Sequence, residues 1–143
     1  MSTTTSAETR TVTARDIMSC PAIVVSPDNT VWDASRLMMS SGVRHLVVCF
    51  NGRVTGTIDD RTVFAHWPIG PLALRRTRLA HVIHSRTSCV LEDVELRRVA
   101  ELMLIDGVDA VPVVDDAGGV IGIITSSDLI AAVARHGLSE ENS

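Results

Sequence analysis

The residues with most chemical potential lie together in Thr125-Ser126-Ser127-Asp128. Before them comes a β-branched apolar run, Val120-Ile121-Gly122-Ile123-Ile124, with the length of a buried strand. After them Leu129, Ile130, Ala132 and Val133 form one face of a helix. A hydroxyl-rich strand-to-helix junction leaves the first N–H groups of the helix unpaired, with Ser or Thr oxygens beside them. That suits an anion or a polar ligand. A carboxylate three residues after a threonine at a helix start can also accept from a ribose diol. The plainer reading is that Ser126 or Ser127 caps the helix and Asp128 complements its dipole.

Other chemistry finds less support. No nucleophile elbow, Walker loop or HExxH pattern occurs, so catalysis is not expected. His81, His84 and Cys89 are close in sequence, but no CxxC or fourth ligand accompanies them, and no metal is expected. Asp59-Asp60 and Asp115-Asp116 are adjacent pairs, and adjacent residues at a strand end face opposite ways, so neither reads as an acid/base dyad. A net charge of −4 and 3% aromatic residues argue against a nucleic-acid surface. Three cysteines, Cys20, Cys49 and Cys89, form no disulfide framework. With no signal-peptide pattern and no apolar run long enough to span a bilayer, a cytoplasmic setting without membrane contact is the expectation.

The elements that must position the junction occur twice. An offset of 65 residues lays Val43–Val48 over Val108–Val113, Ile17-Met18 over Val82-Ile83, and Leu37-Met38 over Leu102-Met103. One extra residue in the second hairpin then brings Gly56-Thr57-Ile58 onto Gly122-Ile123-Ile124. In the first copy Thr13 caps a short turn over Ala14–Met18, and Ile23–Val25 is a short strand. Asp28 is the expected N-cap of a helix that runs to about Ser41, where Gly42 stops it. Val43–Phe50 and Val54–Ile58 pair around Asn51-Gly52, a strong hairpin signal. Asp59–Trp67 reads as a helix ended by Pro68. In the second copy Ser88–Leu91 is the short strand, Asp93 the expected cap of the next helix, and Val108–Val114 and Val120–Ile124 the hairpin. The division is a disordered tail over 1–11, repeats over 12–67 and 79–137, a linker over 68–78, and a tail over 138–143. The fold class is α+β, sandwich-like, with two β-α-β-β-α repeats.

This order, together with Gly122-Ile123-Ile124-Thr125-Ser126-Ser127-Asp128, resembles the tandem CBS-domain module, named for cystathionine β-synthase. The resemblance implies two sheets packed about a pseudo-twofold axis, two clefts between the repeats, and homodimers shaped as a flat disc. It also implies that the Asp of Thr-x-x-Asp holds ribose hydroxyls. In one cleft Thr125 and Asp128 would take the ribose, Ala22, Ile23, Val43 and Arg44 would border the base, and Asp109 and Ala110 would approach phosphates. In the other, Arg44 and His45 are the phosphate positions, Thr87 and Ser88 line the base, and Thr62 stands where the family has Asp. The function implied is a stand-alone regulatory module binding an adenosyl ligand (AMP, ATP, adenosine or S-adenosylmethionine), with no obligatory cofactor and a regulated protein as partner. The alternative is a dimeric interaction protein with vestigial, non-binding clefts. Trp32, Met38, Met39, Phe64, Leu102, Leu129 and Val133 are the candidate dimer surface.

Overall fold

The computed structural model describes residues 11–83 and 88–137, so the expectations for Thr87 and His84 lie outside the described residues. In chain order the first half holds α1 (Ala14–Ile17), β1 (Val24–Val25), α2 (Val31–Ser41), β2 (His45–Phe50), β3 (Arg53–Asp59), α3 (Asp60–Ala65) and α4 (Pro71–Arg76). The second half holds β4 (Val90–Leu91), α5 (Leu96–Asp106), β5 (Ala110–Val114), β6 (Val120–Thr125) and α6 (Ser126–His136).

Two three-stranded sheets result, β1-β2-β3 and β4-β5-β6. In each, the short first strand runs parallel to the second, and the second pairs antiparallel with the third. The register shifts once in each hairpin, between Val48 and Cys49 and between Val113 and Val114, at positions related by the repeat offset. Asn51 and Gly52 take positive φ angles of 52° and 76°, the mirror-image turn whose twist matches the strands it joins.

Alternation along the strands divides the core into three layers. Leu46, Val48 and Ile58 face the helices of the first repeat with Val31, Ala34, Met38 and Val63. Val111, Val113 and Ile124 do the same in the second, with Val90, Val99, Met103 and Ala132. The opposite faces meet, where Val47 packs with Ala110 and Ile123. A single repeat would leave that face in water. Each large aliphatic side chain so buried contributes about 1.5–3 kcal/mol.

The short helices are exchanged between the repeats. Ala14 and Ile17 of α1 fill the core of the second repeat, and Ala14 N donates to the Val94 carbonyl at 2.9 Å. Leu74 of α4 and the buried Leu79 fill the core of the first. The bridges Thr13–Glu95 and Thr30–Arg78 record the same exchange from both sides of the pseudo-twofold. The segment 68–78 thus docks on the first repeat through the buried Leu74, while most of its other residues stay exposed. Pro71 opens α4, Arg75 lies 4.6 Å above the Trp32 ring, and Arg78 is 3.7 Å from Asp28.

Three local expectations are corrected. Thr30, not Asp28, caps α2, because Asp33 three residues on reaches back to the Thr30 N–H at 2.9 Å while Thr30 Oγ1 accepts from Asp33 N. Glu95, not Asp93, is the N-cap of α5, and it makes no side-chain capping bond. The helix after β3 ends at Ala65, and Trp67–Ile69 tightens into a 3₁₀ turn around Pro68.

Candidate functional site

Each antiparallel hairpin ends by running straight into a helix, and the two junctions have nearly the same backbone. Asp59, the N-cap of α3, has φ −108° and ψ 168°; Thr125, the N-cap of α6, has φ −107° and ψ 168°. Their side chains are exchanged. In α6 the hydroxyl stands at the cap and the carboxylate, Asp128, three residues on. In α3 the carboxylate stands at the cap, and the hydroxyl, Thr62, three residues on.

At α6 the plainer reading of the junction holds, with a different cap from the one expected. Thr125, rather than Ser126 or Ser127, accepts from Asp128 N at 3.3 Å, and Asp128 Oδ2 accepts from Thr125 N at 2.9 Å. Ser19, from the segment after α1, donates its hydroxyl to Asp128 Oδ1 at 3.3 Å. Both oxygens of Asp128 therefore carry intramolecular bonds.

At α3 the junction borders a cleft of about 660 Å³ between the repeats. Asp59, Arg61, Thr62, Ala65 and His66 line it from the first repeat; Gly107, Val108 and Asp109 line it from the second. Gly107, at φ 67°, ends α5 in the left-handed conformation and turns the chain into β5. The buried Asp59 accepts from Thr62 N at 2.8 Å through Oδ1. His66 Nδ1 donates to the Thr62 carbonyl at 2.8 Å, which holds its ring at the cleft wall.

A line of charge crosses from one repeat to the other. Arg61 Nη2 lies 3.8 Å from Asp59 Oδ2 and 3.6 Å from Asp109 Oδ2. The other oxygen of Asp109 accepts from His45 Nε2 at 3.1 Å. Arg61 is 79% exposed and beyond hydrogen-bonding distance of either carboxylate, so its guanidinium is loosely held.

The remaining expected site residues are dispersed. Arg44 is exposed, and its carbonyl accepts from Asp60 N at 2.9 Å. Ile23 and Val43 are half-buried against the first core, and Ala22 and the buried Ala110 belong to the layer between the sheets. Ser88 is bound to Asp106 through both N (3.2 Å) and Oγ (2.8 Å). Asp109, expected with Asp128, has its carboxylate in the cleft of Asp59.

From sequence His66 was not expected at the site, and Asp59 and Arg61 stood in the stretch Asp59-Asp60-Arg61-Thr62 with no role of their own. The repeat offset, carried past the hairpin, already lays Asp59 on Thr125 as well as Thr62 on Asp128, and reading both columns together reveals the exchange. Among the described residues, no three His, Cys, Asp or Glu side chains converge as metal ligands. Burial pushes the Cys49 and Cys89 thiols up, and Cys89 is raised further by its proximity to Cys49. Neither has the lowered pKa of a reactive cysteine.

The family model described as CBS domain matches residues 14–67 and 80–135. Among curated proteins, the chain is 32% identical over 118 residues to an inosine-5′-monophosphate dehydrogenase of Methanocaldococcus jannaschii, covering 82% of this chain and 23% of that protein. It is 28% identical over 126 residues to a homoserine O-acetyltransferase of Methanosalsum zhilinae, covering 87% of this chain and 25% of that one. The chain thus spans about a quarter of the length of these two relatives. Among solved structures it is similar to the CBS domain pair of protein MJ0100, in complex with 5′-methylthioadenosine and S-adenosyl-L-methionine. There the identity is 25% and the TM-score 0.71, with 84% of this chain and 98% of that one covered.

Proposed function

This chain belongs to the CBS-domain family, and from that premise we infer that it is a regulatory module that takes an adenosyl ligand in the cleft at Asp59. One observation carries the reading: a cleft between the repeats whose wall joins Asp59 and Thr62 to Gly107, Val108 and Asp109. A ribose diol calls for a carboxylate acceptor with a hydroxyl nearby, and the exchanged junction supplies both. Ala65 and Val108 offer apolar surface to a base. The volume lies in the usual range for small-molecule sites, about 300–1,000 Å³. The adenosyl ligands of the MJ0100 pair support the ligand class. A ligand there touches both repeats and stabilises one arrangement of them, which is how binding reaches a partner protein.

The Thr125–Asp128 junction acts, on this reading, as a helix cap and not as a second ribose site, because Asp59 and Thr62 line the cleft between the repeats and Thr125 and Asp128 do not. The module acts as a homodimer, since Met39, Leu104, Ile105, Ile130 and Val133 expose aliphatic side chains on α2, α5 and α6.

A thermal-shift panel of adenosine, AMP, ATP, S-adenosylmethionine and NAD tests the reading. A ligand at about a hundred times its dissociation constant adds about 2.7 kcal/mol. Silence across the panel would leave the dimeric interaction protein as the function.

A further inference from the structure

We propose that Asp109 makes the Asp59 cleft select adenosyl ligands that lack a polyphosphate, with Arg61 as its counter-charge. The inference rests on the function proposed above and names the ligand class within it. The cleft wall carries two carboxylates, Asp59 and Asp109, against one guanidinium, Arg61. Because a single Arg61 nitrogen lies 3.8 and 3.6 Å from them, the nearest oxygens of the two carboxylates are no more than about 7.4 Å apart. A ribose seated on Asp59 therefore brings its 5′ substituent within reach of Asp109.

Asp109 is also tied to His45, which with Arg44 is the phosphate position assigned to this cleft from sequence. A polyphosphate entering there meets a carboxylate from the opposite repeat. Arg61, exposed on the cleft wall, neutralises a single negative charge and not three or four. Adenosine, or an adenosyl ligand whose 5′ group carries an ammonium or sulfonium centre, meets no such repulsion. In the zwitterionic case the wall offers Asp109 to the cation and Arg61 to the ligand carboxylate.

Calorimetry on the full chain with adenosine, S-adenosylmethionine, AMP and magnesium-free ATP reads this directly. Unsubstituted protein should bind adenosine or S-adenosylmethionine at least as tightly as ATP. Asp109→Asn keeps an oxygen acceptor for His45 and removes the charge. It should raise ATP affinity at least about fivefold and change adenosine affinity less than about twofold. Arg61→Gln alters an exposed side chain, and should weaken AMP about fivefold and change adenosine affinity less than about twofold. ATP binding tenfold tighter than adenosine, or either substitution shifting charged and uncharged ligands alike, overturns the proposal while leaving an adenosyl site standing. No binding by any of the four ligands overturns the proposed function and this inference with it.

Discussion

At the scale of single residues, the two junctions perform different tasks with the same pair of side-chain types. Asparagine caps helices as well as aspartate does. Asp59→Asn should accordingly leave the melting temperature within a degree or two. It removes the charge that strengthens a bond to a ribose hydroxyl, and should lower adenosine affinity about tenfold, as read by calorimetry. Thr125→Ala should do the reverse, costing about 0.5–2 kcal/mol in urea denaturation with adenosine affinity unchanged. The difference was half legible in the sequence. Thr62 shows that the first junction departs from Thr-x-x-Asp, but it takes the matching backbone angles of Asp59 and Thr125 to show that the carboxylate has moved and not vanished. The pairing of Asp109 with His45, 64 residues apart, was hidden because contact across the pseudo-twofold leaves no local periodicity.

Among the elements, strands and long helices could be read from the chain because their periods are set by one buried face. The exchange of short helices could not, since Leu74 looks the same in a linker as in a core, and Leu79, assigned with the second repeat, packs in the first. Both are buried against the first repeat. Leu79→Ala should cost about 2–5 kcal/mol in denaturant unfolding, the penalty of a cavity in a closed core. A loss below 0.5 kcal/mol would mean that the segment is only a tether. On the other side of the pseudo-twofold, a Cβ on Gly122 would lie 2.7 Å from Met18 Sδ and 3.0 Å from the Ser19 carbonyl. The two backbone bonds between Ser19 and Ile123 hold that approach, at 2.9 and 3.0 Å. Gly122→Ala should therefore cost about 1–3 kcal/mol in the same assay, although alanine is otherwise at no disadvantage to glycine in a strand.

For the whole molecule, the sandwich of two sheets closes the faces that a single repeat leaves open, and aliphatic side chains of α5 and α6 remain outside. Leu104 and Ile105 are 84% and 71% exposed, and Ile130 is 70%. Light scattering at micromolar concentration should give a dimer, and Ile105→Asp with Ile130→Asp should give a folded monomer; a monomer before substitution would contradict the assignment of that surface. Of the seven side chains named from sequence for it, Met38 is instead core, and Leu102, Leu129 and Trp32 are half-buried, because helical spacing gives a face but not its partner. Binding at one cleft of the two is the central claim. Calorimetry of adenosine against the unsubstituted chain, Asp59→Asn and Asp128→Asn tests it most directly. One site per chain is expected, weakened about tenfold by Asp59→Asn and unchanged by Asp128→Asn. Two equal sites, or a site lost with Asp128 and kept without Asp59, would contradict it.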